Sequence, residues 1–512
     1  MLDSAINVNG SKEVPTRGLF IDGAEVPASQ PDLLEVINPA TGEKIALVSH
    51  ANAADVDRAV GSASVALEGR EWNAMSNRTR AKLINKLADV FEANLEEVYH
   101  LETTNNGRPL NETRAQVSRL PDFLRYNAGL AIARRDAVIP VDGNYLNYTL
   151  RTPVGVVGNS TPFNHPLMIM IKSLAPTLAT GCTTVVKPSE YTPLTTLYLA
   201  RLFVDAGLPP GVFNVVTGLG PTTGKALAEH PGIAKWVLTG GTEAGRITGA
   251  LAGQNFAHVT LELGGKTPVL VFDDFDIDQA VNYAAFGAFV GAGQTCICGS
   301  RQIVQEKTYD EFVEKLAAKA KKIRIGNPRD PSVQVGPVIS ARQQQRVLNY
   351  VRIGVEEDKA RLVAGGRTPS NPDLANGFFV EPTVFADVTS RMRIFQEEVF
   401  GPFVSITKFS TEDEGVALAN DSPFGLAGAI RTRDVVRAHR VAARLKCGIV
   451  WINDHHRLDP ASPWGGMKDS GIGRESGTES FEQYFETKSV MLRLDDTPFD
   501  WYEDTANQPR LN

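Results

Sequence analysis

Val154-Gly-Val-Val-Gly158, Thr183-Thr-Val-Val-Lys187, Val212-Phe-Asn-Val-Val216 and Lys235-Trp-Val-Leu-Thr239 are four short runs rich in β-branched residues, each followed by loop and then helical pattern. This strand–helix rhythm predicts an α/β chain with a doubly wound parallel sheet. Upstream, Leu83, Leu87, Val90, Phe91 and Leu95 recur at three- and four-residue steps, which predicts helix over residues 77–105. Downstream, a second α/β region begins near Thr267-Pro-Val-Leu-Val-Phe272, continues through helical patterns at 278–290 and 308–322, and runs to about Trp464. The segments 133–152 and Ser489–Leu494 read as extended, and residues 1–18 as a loose polar arm.

A chain of 512 residues exceeds one ordinary core and predicts two or three domains; 42% hydrophobic and 22% charged residues place it among globular proteins. A net charge of −7 leaves no basic footprint for nucleic acid, though backbone amides can still build local anion sites. The four cysteines, at 182, 296, 298 and 447, form no disulfide framework, which suggests an intracellular protein. Cys296-Ile-Cys298 lacks a nearby His or second Cys pair, so no metal is expected. The first residues have no secretory pattern, and no apolar run reaches the roughly 18 residues of a membrane span. The expectation is a cytoplasmic enzyme without membrane or nucleic-acid partners.

Two stretches carry chemistry. Cys296 lies in Phe289-Val-Gly-Ala-Gly-Gln-Thr-Cys296-Ile-Cys-Gly-Ser-Arg301, and Glu262 in Leu261-Glu262-Leu-Gly-Gly-Lys266. A cysteine is a strong nucleophile, and a thioester formed on it is hydrolysed when a carboxylate activates water. Taken alone, a cysteine among glycines and alanines is more often a small buried hydrophobe. The flanking residues argue otherwise: both stretches resemble those of the aldehyde dehydrogenase superfamily. So do Pro162-Phe163-Asn164-His165-Pro166, Val185-Val186-Lys187-Pro188-Ser189-Glu190, Thr239-Gly240-Gly241-Thr242-Glu243-Ala244-Gly245, Glu397-Glu398-Val399-Phe400-Gly401-Pro402 and Pro463-Trp464-Gly465-Gly466-Met467-Lys468, all in the family's order. The resemblance covers roughly residues 20–495.

It implies an NAD-binding domain from 20–132 and 153–263, a catalytic domain over 264–478, oligomerisation strands at 133–152 and 479–496, and terminal arms at 1–19 and 497–512. The oligomer implied is a homodimer or homotetramer. Cys296 would be the nucleophile, Glu262 the general base, and Asn164 a side-chain donor to the oxyanion beside the Cys296 amide. Lys187 and Glu190, with Ser189 between, would hold the adenosine ribose. Glu190 favours NAD over NADP, because a 2′-phosphate would meet its charge. Glu398 and Phe400 would hold the nicotinamide end, and Pro162, Phe163 and Leu263 in their motifs would also bind the cofactor. Thr239, Gly240 and Gly241 would offer a helix N-terminus to the pyrophosphate, Gly241 standing where the family commonly has Ser. The turn Gly218-Leu-Gly220-Pro-Thr-Thr-Gly224 departs from the usual dinucleotide spacing and reads either as a cofactor turn through Gly220 and Gly224 or as a plain one.

The product follows from Glu262, since branches that acylate coenzyme A often lack this base; the acid is favoured. The substrate expected is an aromatic or medium-sized aldehyde, semialdehydes included, in a tunnel lined by Phe163, Met168, Lys172, Val290, Thr295, Ile297, His455, Arg457 and Leu458. Lys172, His455 and Arg457 would recognise an acidic tail, or else face solvent or another subunit. The family's usual Lys position holds Ser173 here, with Lys172 one residue earlier. The alternative reading is a non-catalytic relative kept for binding or structural reasons.

Overall fold

The computed structural model describes residues 14–496 and Tyr502. An eight-stranded sheet runs in the order Gly471–Ile472, His258–Glu262, Lys235–Thr239, Val156–Ser160, Thr183–Lys187, Phe213–Val215, Leu19–Ile21, Ala24–Val26. Its five central strands are parallel, and antiparallel additions close both edges. The parallel strands begin at the central Val156–Ser160, wind outward through Thr183–Lys187 and Phe213–Val215, then cross to Lys235–Thr239 on the other side. That reversal creates a crevice at the carboxyl ends of the strands, the standard ligand position in an open α/β sheet.

The second sheet is ordered Arg361–Ala364, Thr383–Ala386, Phe403–Phe409, Arg301–Gln305, Pro268–Val271, Ala427–Arg431, Ile449–Ile452, all parallel except the first strand. A smaller antiparallel sheet joins Phe485–Arg493, Tyr145–Pro153 and Val138–Ile139. The fold is therefore α/β with a doubly wound parallel sheet, a second α/β unit and a small extended sheet.

Three details differ from the sequence reading. The helix predicted over 77–105 is two helices, Asn77–Ala93 and Leu95–Asn106. Asn94 divides them: its side-chain amide donates to the Val90 carbonyl at 2.8 Å, taking an acceptor at the helix end. The N-terminal arm is shorter than expected. Thr16–Arg17 pairs with Lys44–Ser49, and Leu19 starts an edge strand of the large sheet; residues 1–13 and the remainder of the proposed C-terminal arm lie outside the described residues. Finally, Gly471–Ile472 belongs to the first sheet, pairing with Leu261 and Glu262, although it lies within the stretch 264–478.

Helix Pro166–Thr180 fixes the centre of the molecule. Every residue in it is buried, including Lys172, and Pro166 occupies its first turn, where the missing amide costs no helical bond. Apolar side chains from this helix, from Asn77–Ala93 and from Leu120–Ala133 form one core beside the first sheet; a second core lies under helices Ile277–Phe289 and Tyr309–Ala320. Leu458 packs against both.

Candidate active site

The residues expected at the cofactor lie at or just beyond the carboxyl ends of the first sheet's parallel strands, except Glu398 and Phe400, which precede Phe403–Phe409 of the second sheet. Lys187 ends its strand and donates to the carbonyls of Pro188 at 2.9 Å and Gly218 at 3.0 Å; burial lowers its pKa, with Glu190 opposing. A Cβ on Gly224 would lie 3.4 Å from the Lys187 side chain, and one on Gly220 would meet open space. Gly220–Gly224 is a single π-helical turn leading into Lys225–Ala228. Ser189 is buried and accepts from the Tyr191 amide, while Glu190 is half-buried.

Thr239 ends the next strand with its hydroxyl buried and unpartnered. Gly240 and Gly241 then lead into helix Thr242–Gln254, whose N-cap, Gly241, supplies no side-chain hydrogen bond. A Cβ at Gly241 would meet nothing within 4 Å, so the helix opens on free space with its first amides uncapped. Leu263 is buried against Gly245, where a Cβ would collide with it. Glu398 accepts from the Gly265 amide at 2.9 Å, and burial raises its pKa to about 7. Phe400 has φ +60°, held by Gln343 donating to its carbonyl at 2.7 Å, and its ring meets Phe163 edge-on at 5.8 Å. Pro162 and Phe163 are half-buried beside these rings. An uncapped helix, an orphan hydroxyl and half-buried carboxylate and aromatic groups suit a dinucleotide.

Cys296 is the one residue between Gly291 and Ser300 that is not fully buried. Its loop bends through three left-handed residues, Gly291, Ala292 and Gly293 (φ +61°, +54° and +67°), and any Cβ on Gly293 would strike the Gly401 carbonyl. The Glu262 and Cys296 motifs cross at glycines. A Cβ at Gly265 would collide with the Cys296 carbonyl oxygen, and one at Gly264 would sit 2.5 Å from Glu398 Oε2. Asn164, just past strand Val156–Ser160, is buried with Oδ1 unpartnered; Asn106 fixes its loop by donating to the carbonyls of Phe163 at 2.5 Å and Asn164 at 3.2 Å.

Both carboxylate oxygens of Glu262 are buried without a hydrogen-bond partner. Burial, reinforced by Glu475, lifts its pKa well above the carboxylate range against the pull of Lys172 and Arg474. The Cys296 thiol is pushed up to about 12, first by burial; Lys172 opposes this, and Glu262, Glu398 and Glu475 add to it. Lys172 is ion-paired to Glu475 at 2.5 Å, and its ammonium stands 4.6 Å from the centre of the Trp464 ring. Glu475 escaped the sequence reading because an acidic residue after Gly471-Ile-Gly-Arg474 looks like any surface charge. Burial was the missing signal.

The substrate residues separate into two groups. Met168, Thr295 and Leu458 pack near the thiol or the helix beside it, and Val290 is half-buried in the thiol's own loop. The expected cations need correction. Lys172 is ion-paired with Glu475. His455 is buried, its Nε2 is 3.1 Å from the Ile297 carbonyl, and burial holds its pKa well below the usual histidine range, so it is neutral. The Ile297 side chain is part of the apolar core. Arg457 is exposed, and its carbonyl accepts from the Trp451 indole. These placements leave no buried, unpaired cation among the three for an acidic tail.

The profile of the aldehyde dehydrogenase family matches residues 26–490. Betaine aldehyde dehydrogenase of Bacillus subtilis is 41% identical over 486 residues, covering 94% of this chain and 99% of that one. Retinal dehydrogenase 2 of Mus musculus is 41% identical over 485 residues, covering 94% and 93%. Among solved structures, betaine aldehyde dehydrogenase from Staphylococcus aureus in complex with NAD+ superposes with a TM-score of 0.93 at 39% identity, covering 95% of this chain and 96% of that one. With the Cys296 loop and the Glu262 strand crossing at the head of a doubly wound sheet, the chain belongs to the aldehyde dehydrogenase family.

Proposed function

We propose that the protein oxidises an aldehyde to its carboxylic acid with NAD as acceptor, using Cys296 as nucleophile, Glu262 as base for water and Asn164 as oxyanion donor. The observation that carries this reading is the crossing of the two motifs at Gly265, which packs the Glu262 segment against the backbone of Cys296. The Cys296 sulfur adds to the carbonyl carbon, and the new oxyanion takes hydrogen bonds from Asn164 Nδ2 and the Cys296 amide. Such a donor is worth ~10²–10³ in turnover. NAD, held by Lys187, Ser189, Glu190, the Thr239–Gly241 turn, Glu398 and Phe400, would supply a cationic hydride acceptor. The thioester left on sulfur is hydrolysed by water that Glu262 deprotonates, and a carboxylate with a raised pKa is a stronger base for this step than an exposed one. Lys172, paired to Glu475, keeps a positive charge within range of both Cys296 and Glu262.

Glu190 supports NAD over NADP. Relatives named for betaine aldehyde and for retinal match this chain at 41% identity, so overall similarity selects no substrate. Half-buried Phe163 and buried Met168 support a body of aromatic or medium size. We assign 20–132 and 153–263 to cofactor binding and 264–478 to catalysis. The strands 133–152 and 479–496 would form the contact of a homodimer or homotetramer, because Val138, Met491 and Leu492 are exposed on the small sheet. Four cysteines without a disulfide support a cytoplasmic location. The test is a panel of aldehydes with NAD and with NADP, following absorbance of reduced nicotinamide. Turnover with NAD at higher kcat/KM than with NADP is expected; no turnover on any aldehyde would refute the activity.

A further inference from the structure

The bend that leads to Cys296 is held at both ends by groups that the steps above do not use. Gly291, Ala292 and Gly293 are left-handed in succession, a conformation that a residue with a Cβ resists, so the run persists only where its surroundings fix it. At its start, the Gly291 amide donates to Glu112 Oε2 at 2.9 Å. Just past its end, Gln294 Oε1 accepts from the Ile339 amide at 3.0 Å, and the Gln294 amide closes the bend onto the Gly291 carbonyl at 3.1 Å. Gly291 is buried, so removing the Glu112 carboxylate would strip its amide of this acceptor inside the protein.

Both holds come from one corner of the fold. Glu112 lies in the first turn of helix Leu110–Val117, which starts just after Gly107. That corner is wedged against the second α/β unit: the Leu110 amide donates to the Pro328 carbonyl at 2.8 Å, and a Cβ on Gly107, at φ +87°, would come within 2.8 Å of the Pro337 ring. Two residues after Pro337 stands Ile339, the donor to Gln294. Arg108 braces the corner from inside. Its Nε donates to Asn106 Oδ1 at 3.0 Å, Nη2 pairs with Glu102 at 3.2 Å, and Nη1 lies 2.7 Å from both Gln116 Oε1 and His165 Nδ1. Asn106 in turn donates to the carbonyls of Phe163 and Asn164. The corner that holds the bend before the thiol therefore also holds the loop of the oxyanion donor.

We propose that Glu112 is a positioning residue for the nucleophile: by fixing the Gly291 amide it sets the left-handed bend, and with it the place of the Cys296 sulfur relative to Asn164. This rests on the dehydrogenase reading above and adds to it a residue outside every motif that carries that reading. Glu112 acts through the backbone of the loop and touches no reacting atom.

The test uses Glu112→Gln, which keeps an oxygen acceptor at the same reach, and Glu112→Ala, which keeps none. With saturating NAD and aldehyde, rapid mixing reads the rate of hydride transfer in the first turnover. That rate is expected to fall about ten-fold or more in Glu112→Ala and to stay within about three-fold of wild type in Glu112→Gln, with the Kd for NAD changed less than about two-fold in either. Hydrogen exchange read by mass spectrometry needs no turnover: the peptide over 287–296 should exchange faster than wild type in Glu112→Ala and close to wild type in Glu112→Gln. If Glu112→Ala does not fold, Glu112→Asp, which draws the acceptor back by one methylene, is expected to move both readouts in the same direction. A residue that served stability alone would lower the urea midpoint of Glu112→Ala and leave the first-turnover rate of the folded protein unchanged. That result, a Glu112→Gln as slow as Glu112→Ala, or unchanged exchange over 287–296 would overturn the proposal while leaving the dehydrogenase reading intact. Absence of turnover by wild type on every aldehyde would instead remove that reading, and the exchange experiment would still decide whether Glu112 holds the bend.

Discussion

Cys296 and Cys298 are two positions apart and differ in exposure and packing, although burial pushes both thiols up to about 12. Cys296 is half-buried at the crossing of the two motifs, whereas Cys298 is buried with its sulfur 3.5 Å from the Ala288 carbonyl. Cys296→Ala is expected to abolish turnover with NAD affinity retained in a titration, and Cys298→Ala to keep most activity; the reverse pattern would reassign the nucleophile. Glu262→Gln should still acylate, because the thiol attacks without it, but deacylate slowly, since an amide cannot take a proton from water. Stopped-flow should then record a stoichiometric burst of reduced cofactor before a slow steady state. With the thiol pushed up to about 12, the protonated form dominates at neutral pH in the free protein. Alkylation of Cys296 by iodoacetamide should therefore rise about ten-fold per pH unit from pH 7 to 10. Lys172→Met removes a cation that favours the thiolate, so its alkylation should be slower at every pH. The same change leaves Glu475 buried without its partner, at a cost of about 3–5 kcal/mol readable by urea denaturation. A faster reaction would sink this account of the charge balance.

At the scale of elements, the site exists because loops with special backbone freedom touch one another. Strand His258–Glu262 delivers Glu262, and the glycines after it allow the chain to pass against Cys296 and Glu398. Gly265→Ala would press a methyl group into the Cys296 carbonyl oxygen and lie 3.3 Å from the Leu426 Cβ. A shift of the thiol by about 1 Å is enough to cost ~10² in rate. The expected result is a folded protein by circular dichroism with kcat/KM reduced about 100-fold; wild-type activity would mean the crossing is looser than its geometry implies. Elements were legible in the sequence where periodicity was unopposed. Thr183–Lys187 and Lys235–Thr239 coincide with the runs that predicted them, because short runs of apolar and β-branched residues buried on both faces have little alternative. The helix after Ser76 was legible, but its interruption was not, since one asparagine competing for a carbonyl leaves the apolar spacing untouched.

At the scale of the whole molecule, the small sheet formed by Phe485–Arg493, Tyr145–Pro153 and Val138–Ile139 presents Val138 at 70% and Met491 at 55% exposure, with a free strand edge. Val138→Asp places a charge on that edge and is expected to shift the protein toward smaller species in sedimentation velocity. An unchanged distribution would move the subunit contact elsewhere. What the sequence by itself determined was the α/β class and the family, and it singled out Cys296, Glu262 and the cofactor-side motifs as candidates, because each is written in a contiguous run whose spacing carries its own physics. Only the tertiary structure decided the rest: that Lys172 is spent on Glu475, that His455 is a neutral core ring, and that His165 meets Arg108. Charge state and hydrogen-bond polarity depend on burial and on partners hundreds of residues away, and no local pattern encodes either.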